Sequence, residues 1–257
     1  MFHTTQALVL REVRYKEADR ILTLLTAADG KLTAKARGAL RKSSRTGAAT
    51  QQLTYAEMTL FGNRGKWTVN EASVLEPFSG LREDIERFAL GSYFAECLEA
   101  FSTEDQPDAA LLQLGLNSLY ALSHDLADPR LIKAAFELRL MCMAGYAPDL
   151  EGCAVCGKTE VQEPHLCLES GSICCRDCRK ASMGPTERLD EGALAALRYV
   201  VKAPPKQMLS FRLEGKSLDM FSAAAERYLL TQAERGFSAL DYWKKLKRTM
   251  DSVQDKG

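Results

Sequence analysis

Across residues 1–80, apolar and polar positions alternate in short runs: "TTQALVL", "RILTLLT", "GKLTAKARGAL", "QLTYAEMTLFG" and "KWTVNEASVLEP". Each run is rich in β-formers, and polar or Gly-containing breaks separate them. "AADG" (27–30) is a turn signal between the second and third runs. Five short strands without intervening helical patterns predict a small barrel or sandwich. From Leu81 the period changes. Ile85, Phe88, Ala89, Phe94, Cys97, Leu98 and Phe101 recur near i, i+3, i+4 spacing, which predicts an amphipathic helix over 83–101. Similar runs predict helices at 108–126, 129–146, 190–202, 217–235 and 238–249, punctuated by Pro107, Pro129 and the Pro204–Pro205 pair. Gly236 stands where a helix C′ residue belongs, and Ser238 is the expected next N-cap. The pattern divides the chain near residue 80 into segments 1–80 and 81–257, and a cysteine-rich stretch interrupts the second at 148–182.

Composition adds the setting. A chain of 257 residues, 46% apolar, can bury a substantial core. The apolar run Ala7–Leu10 is too short for a signal sequence, and no stretch approaches the roughly 20 apolar residues of a membrane helix. The expectation is a cytosolic protein without membrane association, whose thiols stay reduced. The formal net charge of +0 conceals a segregation. Residues 1–80 hold 12 Lys/Arg against 7 Asp/Glu, and the remainder holds 22 against 27. A basic segment joined to an acidic body points to a polyanion partner for the first part.

Six of the eight cysteines fall in "CAVCGKTEVQEPHLCLESGSICCRDC", residues 153–178. Cys153/Cys156 and Cys175/Cys178 form C-x2-C, an 18-residue spacer and C-x2-C, a zinc-type spacing. Two thiolates three positions apart on a tight turn converge on one ion, and two such turns complete a tetrahedron. Gly157 supplies the backbone freedom such a turn uses. Cys167 and His165 are alternative ligands, and Cys174 is one only through a C-x3-C pairing with Cys178. Four thiolates leave no open coordination position, so one structural Zn2+ per chain is expected. The same letters, "GCAVCGKT", fit the P-loop pattern, but Pro148 before them and Pro164 after them oppose the strand and helix that a nucleotide loop needs. With histidines only at 3, 124 and 165, no H-E-x-x-H and no G-x-S-x-G, no catalytic residue is predicted and an enzyme is not expected.

"GKLTAKARGALRKSSRTGA" (30–48) is the second informative stretch. Period 2 sends Leu32, Ala34 and Ala36 to one face, and Lys31, Thr33, Lys35 and Arg37 to the other. Gly38 is expected at a bend, and a loop with Arg41, Lys42, Ser43, Ser44 and Arg45 follows. Hydroxyls beside guanidinium groups suit phosphate oxygens. The competing reading is a solvated edge strand protected by its cations. The segregated charge and barrel pattern favour phosphate binding, with Arg14 on the first strand joining the set. Trp67, Tyr55, Phe61 and Tyr15 are candidate base-stacking aromatics. Lys133 and Arg139 read as charges on the predicted helical body.

Together these residues resemble the bacterial RecO family of recombination mediators. The resemblance rests on "ALVLREVRYKEADRILTLLTAADGKLTAKARGALRKSS", "LREDIERFALGSYFAECLE", "CAVCG" paired with "GSICCRDC", and "RYLLTQAERGFSALDYWKKL". It implies an α+β multidomain chain: an N-terminal OB-fold β-barrel, then an α-helical domain with a zinc-binding insertion. It also implies binding of single- and double-stranded DNA, annealing of complementary strands, and loading of recombinase onto strands coated with single-stranded-DNA-binding protein. RecR is the implied partner, and the bacterial nucleoid the implied location. The family's DNA-binding basic residues fall on Lys35, Arg37, Arg41 and Lys42. Its Gly-Gly before the second cysteine pair reads Gly171–Ser172 here, and Cys174 occupies an apolar position. Some relatives lack the cysteines, which fits a structural metal. An RNA-binding factor is the alternative built from the same parts. A zinc enzyme is a more distant one, because it needs an open metal position.

Overall fold

The computed structural model of the protein describes residues 1–63, 65–180 and 183–254. Arg64 of the basic count, and residues 181–182 at the end of the cysteine-rich stretch, lie outside the described residues. Residues 1–124 with the chain from Phe237 onward form one compact unit, and residues 125–236 form a second.

The first unit opens with five strands: β1 (Phe2–Tyr15), β2 (Asp19–Thr26), β3 (Gly30–Ala36), β4 (Tyr55–Asn63) and β5 (Lys66–Glu76). They close into a barrel in the order β1-β2-β3-β5-β4, with β1 paired to both β2 and β4. The β3–β5 pairing is parallel and the others are antiparallel. Of the barrel and the sandwich that the alternation allowed, the chain forms the barrel, and it is OB-like as the resemblance implied. Its interior is filled by Ala7, Val9, Leu22, Leu24, Leu32, Ala34, Ala36, Ala56, Met58 and Leu60, all buried, with Trp67 packed against them. Small residues on β3 let the strand pass close to its neighbours in so narrow a barrel. At Gly30, φ is +65° and an added Cβ would lie 2.0 Å from the Gln106 carbonyl oxygen, so only glycine fits that turn.

The strand pattern ends at Glu76 and helices begin at α1 (Ser79–Arg82), followed by α2 (Ile85–Phe101) and α3 (Ala109–Ser123). Asp84 caps α2 by accepting from the N–H groups of Glu86 and Arg87, and Asp108 caps α3 through Leu111 N–H. α2 is buried on most of its circumference, not on one stripe, and Ile85 of the expected apolar face is 57% exposed. The reason is tertiary: α3, β1 and the last helix all pack on it.

In the second unit, α4 (Pro129–Met143), α5 (Glu191–Lys202) and α6 (Gly215–Ala233) pack together. Asp128 and Asp190 cap α4 and α5, and Pro129 sits at the first turn of α4. Between α4 and α5 runs a sheet not foreseen from the sequence: β6 (Asp149–Cys153), β7 (His165–Cys167), β8 (Ser172–Cys174) and β9 (Thr186–Arg188), in the order β6-β8-β7-β9. Three-residue strands are too short for a periodic signal. Lys133 is not a surface charge. It is fully buried, and its Nζ lies 2.9 Å from both Glu137 and Glu226 carboxylates. Arg139 donates to the carbonyls of Val200 and Val201. The cap expected at Gly236 lies instead at Glu234, whose φ of +50° ends α6. The final helix, α7 (Ser238–Gln254), belongs to the first unit, where the Glu96 carboxylate of α2 accepts from Ser238 N–H and Ala239 N–H.

Candidate nucleic-acid interface and metal centre

The basic strand and loop are held by the turn that precedes them. Asp19 Oδ1 accepts from Gly38 N–H at 2.8 Å, and its Oδ2 lies 2.8 Å from Lys35 Nζ. Hydrogen bonds from Lys35 and then from Gly38 N–H hold the Asp19 carboxyl below its ordinary range. The next residue, Arg20, is buried and donates through Nη1 to the Gly47 carbonyl (2.8 Å) and to Thr50 Oγ1 (3.0 Å). Its Nε lies 3.2 Å from Glu12 Oε2, an ion pair not aligned as a hydrogen bond. Leu40 N–H reaches the Ala18 carbonyl. The start of the loop is therefore fixed by Ala18 and Asp19, and its end by Arg20. Gly38, with φ +64°, makes the bend at the strand end, and the Arg41 side chain lies over it.

On this frame Arg37, Arg41, Lys42 and Arg45 are exposed, as is Arg14 near the end of β1. Strand register places Tyr15 opposite Asp19, and Arg20 opposite Ala36, so these groups gather at one end of the barrel. Lys35 is half-buried, paired to Asp19, with its Nζ 4.9 Å from the centre of the Tyr15 ring. Lys31 lies at the other end of β3, where Nζ donates to the Glu99 carbonyl at the end of α2 (2.9 Å). Among the candidate stacking aromatics, Trp67 is packed on the barrel core and the Tyr55 hydroxyl donates to Gln6. Phe61 is exposed beside Phe2, and Tyr15 is exposed beside Lys35 and Lys16.

In the second unit the Sγ atoms of Cys153, Cys156, Cys175 and Cys178 all lie within 4.8 Å of one another. Cys153–Cys175 and Cys156–Cys175 separations are 3.9 and 4.0 Å. A tetrahedral site with metal–sulfur bonds of about 2.3 Å has edges of about 3.8 Å, so the four thiols fit one ion. The first pair sits on a turn in which Gly157, φ +71°, donates to the Cys153 carbonyl, and the second on a 3-10 turn from Arg176 to Cys178. Burial opposes ionisation of Cys153, yet backbone N–H groups of Cys156, Cys175 and Val155 bring its thiol down to about 6. Cys174 behaves oppositely. Burial and the Cys167 sulfur, 3.7 Å away, push it up to about 12, and hydrogen bonding to Cys175 pushes Cys178 up to about 12 as well, so position and not titration sets Cys167 and Cys174 apart: they lie outside the four-thiol group. His165 pairs with Cys174 on the neighbouring strand and is not in the four-thiol group.

Residues 1–78 match the family described as Recombination protein O N terminal, and residues 82–241 match Recombination protein O C terminal. The chain belongs to the RecO family. Curated relatives named "DNA repair protein RecO" run along nearly its whole length. The one from Acetivibrio thermocellus is 35% identical over 244 residues, covering 95% of this chain and 97% of the relative. That of Symbiobacterium thermophilum is 31% identical (93% and 96% covered), and that of Heliobacterium modesticaldum 36% identical (90% and 85% covered). The two RecO matches meet between residues 78 and 82, where β5 has ended and α1 begins.

Within this RecO chain, sequence reasoning passed over Asp19 and Arg20, although they belong to the E-x-D-R stretch that carried the resemblance. Charge alone does not separate a cation that anchors a loop from one that faces solvent. At the P-loop-like letters, β6 does begin directly after Pro148, but no helix opens at Lys158. The Lys158 carbonyl instead accepts from Cys153 N–H at 2.9 Å, folding the segment around the cysteines. No described helix is long and apolar enough to cross a membrane.

Proposed function

We propose that this RecO-family protein is a DNA-repair mediator whose barrel binds the phosphates of single- and double-stranded DNA. Arg37, Arg41, Lys42 and Arg45, together with Arg14, carry that contact, while Lys35 and Asp19 position the loop. The observation that carries the reading is a loop of exposed cations fixed at both ends to a closed barrel. Annealing needs no active site. It needs a surface that neutralises two strands while leaving base edges free to pair. On the same reading the protein helps load recombinase onto strands coated with single-stranded-DNA-binding protein, acting with RecR. The metal is zinc, held by Cys153, Cys156, Cys175 and Cys178. Four thiolates saturate it, so it stabilises the fold and supplies no open coordination site for chemistry.

The test is the triple variant Arg37→Ala/Arg41→Ala/Arg45→Ala. Each lost phosphate contact removes about 0.7 from the log–log salt slope of single-strand binding, so the expected loss is about 2. Annealing should fall with it, equally for different base sequences. An unchanged slope refutes the barrel surface as the DNA site, and tighter binding of RNA than of DNA of equal length points to the RNA-binding alternative.

A further inference from the structure

The second unit carries a concavity of about 530 Å³ lined by Glu163, His165, Arg176, Arg179 and Arg188, ionisable side chains that include three guanidinium groups and one carboxylate. Three separate elements build it. Arg176 and Arg179 come from the turn that bears Cys175 and Cys178, Arg188 from β9 and His165 from the facing position on β7. Glu163 holds two of the arginines, with Arg176 Nη1 at 2.9 Å and Arg188 Nη2 at 3.2 Å. Arg179 is exposed and has no side-chain partner among the described residues. His165 is 8% exposed, and its Nδ1 has no hydrogen-bond partner. Gathering three guanidinium groups around one carboxylate is repulsive, and an anion in the concavity relieves that repulsion. Guanidinium groups held by a carboxylate are pre-oriented donors for phosphate oxygens.

We propose that this concavity is a second phosphate site for the nucleic-acid backbone, with Arg176, Arg179 and Arg188 donating to phosphate oxygens and Glu163 bracing Arg176 and Arg188. It does not depend on the barrel loop, and it places a cationic contact in the part of the chain that is acidic as a whole. A nucleic-acid phosphate suits the site better than a peptide carboxylate, because three guanidinium groups match an oxygen-rich anion that recurs along a strand.

The test uses the full chain with its metal. In Arg176→Gln/Arg179→Gln, the salt slope for a single-stranded oligonucleotide should fall by about 1.4, at about 0.7 per contact, with metal content unchanged. Loss of metal with an unchanged slope means that the arginines only neutralise the thiolate centre, and overturns the proposal. If metal and slope are lost together, Arg188→Gln decides, since that side chain does not come from the metal-binding turn. A fall of about 0.7 with metal retained supports the site, and no fall overturns it. Displacement of the oligonucleotide from this site by a poly-glutamate peptide more readily than by an oligonucleotide of equal charge assigns it to an acidic protein segment, and also overturns it. The barrel triple variant is measured alongside. An unchanged slope there refutes the barrel reading alone, and an unchanged slope in the arginine pair refutes this one alone.

Discussion

Replacing Arg20 with methionine removes the anchor at the far end of the basic loop while keeping much of the side-chain volume. The guanidinium is nine-tenths buried and makes two hydrogen bonds, to the Gly47 carbonyl and to Thr50 Oγ1, besides its ion pair with Glu12. Hydrogen bonds from a charged donor contribute about 1.5–3 kcal/mol each. The Glu12 side chain is 31% exposed as a whole, but the Oε2 atom that faces Arg20 is buried, so loss of the ion pair adds to the cost and does not lower it. The methionine recovers part of the loss by burying apolar surface. A net cost of about 3 kcal/mol follows, which at about 2–4 °C per kcal/mol lowers the melting temperature by roughly 6–12 °C. Stability alone would not reveal a freed loop. Limited trypsin digestion does, because Arg37, Arg41, Lys42 and Arg45 all lie in the segment that Arg20 holds. The variant should be cut there faster than wild type at temperatures well below its own melting point. A melting temperature within about 2 °C of wild type, together with unchanged cleavage in the loop, refutes the anchoring role.

Cys156→Ser should purify with less than one metal per chain and melt at lower temperature, since structural zinc contributes on the order of 10 kcal/mol of binding energy; full metal content by elemental analysis would refute the four-thiol site. Lys133→Met should cost about 3–5 kcal/mol in denaturant titration, because it removes the cation of a buried ion cluster in which Nζ lies 2.9 Å from both Glu137 and Glu226. Burial disfavours the charged Lys133, but the two glutamates overcome it and raise its pKa above the ordinary 10.5. The contribution is therefore complete below about pH 10.4 and is lost as pH rises through the folded value, so wild type should show an alkaline loss of stability that the variant lacks. For Asp19 the sign is reversed. Its carboxyl is depressed, so its hold on Lys35 and Gly38 is complete above about pH 4 and fails only in stronger acid. Loop cleavage that accelerates between pH 7 and 5 would contradict this. Gly30→Ala should fail to fold or melt far lower, given φ +65° and a Cβ position 2.0 Å from the Gln106 carbonyl oxygen.

Local pattern determined much of this protein. Alternation of Leu32, Ala34 and Ala36 with cations specified β3 and its inner face, because a strand's side chains have period two whatever packs on them. Apolar period and the prolines at 107 and 129 placed α2, α3 and α4 nearly where they lie, and the structure adds that Asp84, Asp108, Asp128 and Asp190 cap α2 to α5, each by a contact within one turn. C-x2-C spacing brought each thiol pair together for the same reason. Tertiary structure decided what depends on distant partners. It brought the thiols of Cys153, Cys156, Cys175 and Cys178 into one group and left Cys167, Cys174 and His165 outside it, through a sheet of strands too short to show a period. It buried Lys133, read only as a charge on the helical body, between two glutamates, and it turned Lys31, read as an outer-face cation, toward the end of α2. It made Asp19 and Arg20 the anchors of a loop that extends to Thr50. It also returned α7 to the first unit, where Phe237 packs edge-on to Tyr93 at 5.7 Å. A residue's charge and spacing are carried by the sequence, but whether that charge meets water, a carboxylate or a helix end depends on chain segments tens of residues away, and only the folded chain brings those together.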